Sequence, residues 1–188
     1  MSDASLKNQL LIATPSLGDS RFKHSVIYLC EHNREGAFGL VINQPTPITL
    51  QEILQQMEID LTPASDFASQ SILVLDGGPV DQGHGLVLHQ RQQLWRSTMA
   101  ISSDLAVTTS RDILESIAAD PLQPNYLMTL GYAGWGAGQL EQELLQNSWL
   151  NVPASLELLF NTPYDSRWEM ATRQLGFDPG QLCEAGHA

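Results

Sequence analysis

The stretch LDGGPVDQGHGLVLH, residues 75–89, sets four glycines, two aspartates and two histidines among apolar residues. It could cradle a phosphate, hold a metal or fold the chain back on itself. A phosphate loop needs Gly-x4-Gly-Lys-Ser/Thr, so that backbone amides and a lysine reach the phosphates. Nothing after Gly78 supplies that lysine. A metal needs three or four converging ligands. Asp76, Asp81, His84 and His89 are candidates, but His84 and His89 lie an odd number of residues apart and leave a strand on opposite faces. A strand–corner–strand reading explains more. "SILVLDGG" runs to Asp76, Gly77, Gly78 and Pro79 turn the chain, and "GHGLVLH" returns it. A residue before proline is driven out of helical space, which glycine accepts most easily. A binding loop on the same residues, Asp76, Gly77, Gly78 and Pro79, stays open beside the structural corner.

Other elements follow outward from this corner. Upstream, "QLLIAT" reads as a strand, and "HSVIYLCEHN" and "AFGLVINQP" as a hairpin about "REG". Pro45 and Pro47 are expected to end the return strand. Thr49 and Glu52 form a capping-box pattern before "LQEILQQM", whose Leu50, Ile53, Leu54 and Met57 share a helical face. "TPASDFASQ" reads as a loop. Downstream, "LWRSTMAIS" and "LAVTTS" read as short strands, and Ser110 opens a helix with Ile113, Leu114 and Ile117 inward. "NYLMTLGYAGW" begins as a buried strand and is expected to dissolve into its glycines. "GQLEQELLQ" is a helix and "WLNVPA" a short strand. Thr162, Pro163 and Asp165 predict the start of a last helix, and Gly176 its stop. Trp168, Ala171 and Leu175 give that helix an apolar stripe, read as core. Strands come in runs with helices interspersed and no regular βαβ alternation. The fold class is α+β with a mostly antiparallel or mixed sheet, in one domain over residues 1–188, with a short N-terminal extension and a polar tail from about 177 to 188.

Charge narrows the function. The 188 residues carry 21 acids against 9 bases, a net charge of −12, and Lys7 and Lys23 are the two lysines. A protein that tracks a nucleic-acid backbone needs clustered Lys and Arg to displace counterions. The densest basic spots here are residues 21–23 and 91–96. Direct nucleic-acid binding and anionic membranes are therefore disfavoured. The N-terminus has an early acid and a four-residue apolar run at residues 10–13, unlike a signal peptide. A cytoplasmic location is expected. Cys30 and Cys183 give no disulfide framework.

Two further segments carry chemistry. "GYAGWGAGQLEQEL" runs from strand into helix, but Gly134, Gly136 and Gly138 are spaced by two and do not match the dinucleotide fingerprint. Glu141 and Glu143 occupy the early helix, where they satisfy its dipole and repel an incoming anion. Close backbone packing is the plain reading, with Trp135 either packed or exposed as a contact residue. In "YLCEHN", Cys30 and His32 stand two apart and would share a strand face. An imidazole there could lower the thiol's pKa and make it a nucleophile, although cysteine is also a common core residue. No cofactor motif and no metal-ligand spacing stands out.

Together "LLIATPSLGDSRFKHSVIYLCEHNREGAFGLVINQP", "LDGGPVDQGHGLVLH" and "LGYAGWGAGQLEQELLQNSWL" resemble the signature blocks of the bacterial AlgH/YqgE family. The resemblance spans residues 10 to about 175. It is carried by Pro15, Asp19, Phe22, His24, Ser25, Asn43, Gly77, Gly78, Pro79, Gly131, Tyr132, Gly134, Trp135, Gly138, Gln139, Leu140 and Trp149. It implies a bent, bifurcated sheet curled into a pseudo-barrel with helices around it. It carries over no catalytic residue set. Some members are labelled transcriptional regulators, which fits this acidic chain only if regulation works through a protein partner.

Three readings of function remain. The first is a cytoplasmic, non-enzymatic binding or regulatory protein, acting through a protein or small-molecule partner held near Asp76, Gly77, Gly78, Pro79, Gly131, Tyr132, Gly134 and Trp135. Both glycine loops end apolar strands, so they are expected to meet and form one wall of a groove. The second is an enzyme or redox sensor centred on Cys30 and His32. The third is a nucleic-acid-binding regulator. From charge alone, pure protein should give no specific or non-specific duplex DNA shift at physiological salt. A micromolar, salt-sensitive gel shift would reverse this.

Overall fold

In the computed structural model, residues 4–61, 72–176 and 181 are described. The expected loop at 62–70, Cys183 and all of the expected tail but Gln181 lie outside them. Ten strands form one sheet: β1 (Gln9–Ala13), β2 (Val26–Asn33), β3 (Gly36–Val41), β4 (Pro45–Thr49), β5 (Leu73–Asp76), β6 (Val80–Gln90), β7 (Thr98–Ala100), β8 (Leu105–Thr108), β9 (Tyr126–Gly136) and β10 (Trp149–Pro153). Among the described residues, the α-helices α1 (Leu50–Gln56), α2 (Arg111–Ala119), α3 (Gln139–Leu145) and α4 (Arg167–Arg173) flank it.

Strand β9 is the hub. On one edge it pairs antiparallel with β6, from Tyr126 opposite His89 to Tyr132 opposite Val80. Its other edge is shared. Thr129 and Leu130 pair in parallel with Leu75 and Asp76 of β5, and residues 133–136 pair antiparallel with β3. One branch continues as β3, β2, β1 and β10, and the other carries β5 with β4 and β6 with β8 and β7. The sheet is thus bifurcated, curled and mainly antiparallel, and the fold is a single α+β domain.

Curling lets the two branches share an interior. Leu10, Ile12, Val26, Tyr28 and Leu40 from one meet Leu86, Leu88, Val107 and Leu127 from the other, and α4 closes this core with Trp168 and Ala171. Outside, α1 and α2 cover Val74, Val87 and Met128, while α3 and Phe22 cover Leu11, Ile27, Leu29 and Val41. The inner strands are buried on both faces, which is why they read as nearly continuous apolar runs.

Local signals fared unequally. The Thr49–Glu52 capping box forms as expected. Pro45 and Pro47 do not end a strand; they lie inside β4, which among the described residues pairs with β5 alone and leaves its other edge without a ladder. There a missing N–H does no harm. Strand β9 does not dissolve at its glycines, because β3 and β6 hold it through Gly136 and Tyr132. The last helix starts later than expected. The Thr162 hydroxyl donates to the Glu157 carbonyl of a preceding π-turn (Glu157–Asn161), so it caps no helix, and a 3-10 turn (Tyr164–Ser166) precedes α4.

Buried His89 shows how polar groups are accommodated on this sheet. Its Nδ1 lies 3.0 Å from the Gln90 carbonyl, which accepts only, so Nδ1 carries the proton. Nε2 then accepts from the Thr108 hydroxyl at 2.8 Å, and Thr108 is joined to Thr98 at 2.8 Å. Burial holds the imidazole below its ordinary pKa. An unfolded imidazole titrates near about 6.5. Below that pH the unfolded chain takes up a proton that folded His89 resists. Its contribution to stability is therefore present above that value and lost as pH falls through the lower folded pKa. Urea denaturation between about pH 7.5 and about pH 5 should show a steeper loss in the wild type than in His89→Gln. Parallel pH profiles would refute this role.

Candidate functional site

The two glycine loops meet backbone to backbone where the branches divide. The Gly77 amide donates to the Leu130 carbonyl at 2.9 Å, and its carbonyl accepts from the Val41 amide at 2.9 Å. One residue thus ties β3 to β9. Gly78 has φ +144°, and a Cβ there would stand 2.2 Å from the Tyr132 carbonyl carbon. Gly131 has φ +71°, and its Cβ would stand 2.6 Å from the Gly78 oxygen. Neither geometry admits a side chain. Asp76 accepts from the Gly78 amide at 3.2 Å, completing a tight turn. Tyr132 packs edge-on against Phe38, with ring centres 5.7 Å apart.

Beside this corner, Pro79, Gly134 and Trp135 line a cleft of about 150 Å3 with Phe22 and Trp149. Trp135 is buried. Its indole N–H donates to Glu143 Oε2 at 2.9 Å, and that of Trp149 donates to the same oxygen at 2.7 Å. Gln139 donates to the other carboxylate oxygen at 3.0 Å. Glu143 is thus an internal acceptor between two edge-packed indoles. The expectation that it merely serves the helix dipole misses this.

Cys30 and His32 do not share a face. Leu29 pairs with Gly39, but Glu31 pairs with Phe38, so β2 carries one extra residue between them. This bulge shifts the alternation. Cys30 points into the interior core with Val26 and Tyr28. His32 turns outward, accepts the Leu6 amide on Nδ1 at 2.9 Å and presents Nε2 to Glu141 at 2.9 Å. The backbone donor fixes the proton of the neutral ring on Nε2, so the ring donates to the carboxylate. The Glu141 pKa is lowered, first by its own backbone amide and then by this bond. Burial pushes the Cys30 thiol well above its ordinary range. A thiol so placed is not a nucleophile at neutral pH.

A larger concavity lies elsewhere among the described residues, at the mouth of the fork. It measures about 580 Å3 and is lined by Asn43, Pro45, Phe160, Tyr164, Asp165 and Arg167, among others. A second hollow, about 350 Å3, adjoins it and shares Asn43, Tyr164 and Asp165, adding Lys23, His24 and Trp168. Asn43 accepts the Val26 amide at 2.9 Å and donates to the His24 carbonyl at 2.8 Å, pinning the start of β2 to the end of β3. His24 holds φ +57° and lies 4.7 Å from the Trp168 ring. Arg167 is 3% exposed. Its Nε donates to the Thr162 carbonyl at 3.0 Å, Nη1 donates to the Ile42 carbonyl, and Cζ lies 4.7 Å from the Tyr164 ring centre. Residue-by-residue reading did not single out Arg167. The available signal was periodicity, since Arg167 precedes Ala171 by four and so sets a charge on the apolar stripe.

Asp81 and His84, the polar pair of the opening stretch, stand exposed and bonded to each other at 2.7 Å. Among the described residues no group of three His, Cys, Asp or Glu side chains is placed to hold a metal, and no helix is long and apolar enough to cross a membrane.

Gly78→Ala and Gly131→Ala should each lose about 3 kcal/mol or more, because strain and backbone overlap add. Trp135→Phe, which removes one donor from Glu143, should lose about 1–2 kcal/mol. Urea denaturation checks the order, and a Gly78→Ala variant as stable as wild type would contradict the corner.

Comparison with known proteins agrees with this architecture. The solution structure of the AlgH protein from Pseudomonas aeruginosa superposes with TM-score 0.79 at 42% identity, covering 97% of this chain and 95% of that one. A crystal structure of a Corynebacterium diphtheriae protein shares the fold with TM-score 0.69 at 21% identity, covering 93% of this chain and 88% of that one. UPF0301 proteins of Idiomarina loihiensis and Shewanella loihica are 53% and 51% identical, each match covering 98% of this chain and 99% of the relative. The family model described as AlgH-like matches residues 10–180, and the chain belongs to that family.

Proposed function

We propose that the protein is a cytoplasmic, non-enzymatic binding protein acting through a small-molecule ligand held at the mouth of the fork. The observation that carries this reading is the joined concavity around Asn43, Tyr164 and Asp165. Its walls come from three separate parts of the chain, near residues 23, 43 and 164, and adjoin the start of β2 and the end of β3. Its size falls within the roughly 300–1,000 Å3 usual for small-molecule sites, whereas the cleft beside Pro79, Gly134 and Trp135 falls below it. The glycine-loop residues named from sequence serve this site indirectly, by fixing where the branches part.

Two alternatives lose support. Chemistry centred on Cys30 and His32 would need the two side chains to meet, and they leave β2 on opposite faces. Regulation by direct DNA contact would need a basic surface, and the net charge is −12. A regulatory role would run through the bound ligand or a protein that responds to it.

Equilibrium dialysis against a bacterial small-molecule extract, read by mass spectrometry, tests this. Wild-type protein should retain a compound, return it chemically unchanged, and hold it about tenfold more tightly than Tyr164→Ala, or about 1.4 kcal/mol. Conversion of the compound would overturn the non-enzymatic reading. Equal retention by Tyr164→Ala would remove the site from the fork.

A further inference from the structure

Arg167 is a cation placed where a protein rarely leaves one. It is almost fully buried, yet it forms no ion pair among the described residues. A guanidinium carries five N–H donors. One on Nε serves the Thr162 carbonyl and one on Nη1 the Ile42 carbonyl, and Nη2 has no acceptor among the described residues. No Arg167 nitrogen is both fully enclosed and unpartnered among the described residues, so Nη2 is not sealed off, and Arg167 is one of the residues that line the concavity. Asp165 stands at the rim but is exposed, and its carboxylate accepts from the Ser166 hydroxyl at 3.4 Å. Glu169, beside the second hollow, is paired with Arg173. Burial lowers the Arg167 pKa to about 10, which still leaves it charged at neutral pH.

A buried charge wants a counter-charge at short range, and among the described residues no carboxylate forms an ion pair with Arg167. The remaining donors form the geometry that recognises a carboxylate or phosphate oxygen. Pro45, Phe160 and Pro163 supply an apolar wall to the same concavity.

We propose that the mouth of the fork is an oxyanion site, in which Arg167 receives a carboxylate or phosphate group of a small organic anion whose apolar body lies against Pro45, Phe160 and Pro163. This rests on the binding reading above and names the ligand's chemistry. The rim carboxylate of Asp165 then has a defined effect: it repels the ligand and keeps affinity moderate.

The test uses the full chain with arginine-selective 15N labelling and four probes: phenyl phosphate, benzoate, inorganic phosphate and benzylamine. Phenyl phosphate or benzoate should shift the Arg167 guanidinium signals and leave those of the other six arginines in place. Phenyl phosphate should bind at least about threefold more tightly than inorganic phosphate, through its apolar body. Benzylamine should not bind. Asp165→Asn, an exposed change, should tighten anion binding about two- to fivefold by removing a like charge. Arg167→Lys should weaken it about tenfold, since an ammonium does not reproduce the guanidinium fork. If that variant fails to fold, the labelled wild type and Asp165→Asn decide alone. Absence of an Arg167 shift with either organic anion, a uniform shift of all arginines, or unchanged or weaker binding in Asp165→Asn would overturn the proposal. Equal binding of inorganic and phenyl phosphate would overturn the assignment to an organic anion. Were dialysis still to retain a neutral compound, the binding reading would stand and the oxyanion site would fall.

Discussion

On one edge of β9, the partner changes from β5 at Leu130 to β3 at Ala133. Two strands have to share that edge, so they diverge as soon as they leave it. The space between them at the division is too narrow for side chains, and Gly77, Gly78 and Gly131 fill it with backbone. The carbonyl and amide of Gly77 satisfy β3 and β9 together, so no ladder group is stranded where the sheet splits. The curl of the two branches, the enclosed core between them and the open mouth at Asn43 all follow from this junction.

Closing a curled sheet requires something to cap its open end, and the C-terminal segment does so with polar side chains as well as apolar ones. The Trp168 indole donates to the Ala13 carbonyl at the end of β1, at 3.1 Å. Arg167 donates to Ile42, just past the end of β3. Both carbonyls lie beyond the reach of the regular ladders, and both would be costly if buried without a donor. On the outer face, Glu143 does the converse, collecting two indole N–H groups and Gln139. The indole N–H groups of Trp135, Trp149 and Trp168 thus complete carboxylate or backbone bonds.

Much of this architecture was legible because it is local. The Thr49–Glu52 box depends on four consecutive residues and formed as read. The strand–corner–strand reading of residues 75–89 also held, since glycine and proline constrain the backbone wherever they stand. What failed was settled by distant partners. The bulge at Cys30 depends on how Leu29 and Glu31 meet Gly39 and Phe38, and one inserted residue reverses every face assignment after it. Strand β9 survives its glycines because neighbours on both edges override a weak local propensity. Thr162 carries a helix-cap signature, but the carbonyl of Glu157 reaches its hydroxyl first. The candidate site was hardest to read, because Asn43, Tyr164 and Arg167 converge through a topology that spacing along the chain does not encode.

A chain of net charge −12 with a buried arginine at the mouth of the fork raises a question of selectivity. The two features act over different ranges. At physiological ionic strength, charges on the surface are screened beyond about 8 Å. A polyanion such as DNA must lie along that surface and meet its acids one after another, without the clustered cations that would release its counterions. A small anion crosses the same layer once, at a screened and modest cost. Within the mouth, screening weakens and the guanidinium acts in a medium of lower effective dielectric, where its attraction is several-fold stronger than in water. Under the proposed oxyanion site, an acidic exterior and a buried cation would work together, disfavouring extended anions while leaving the mouth open to compact ones.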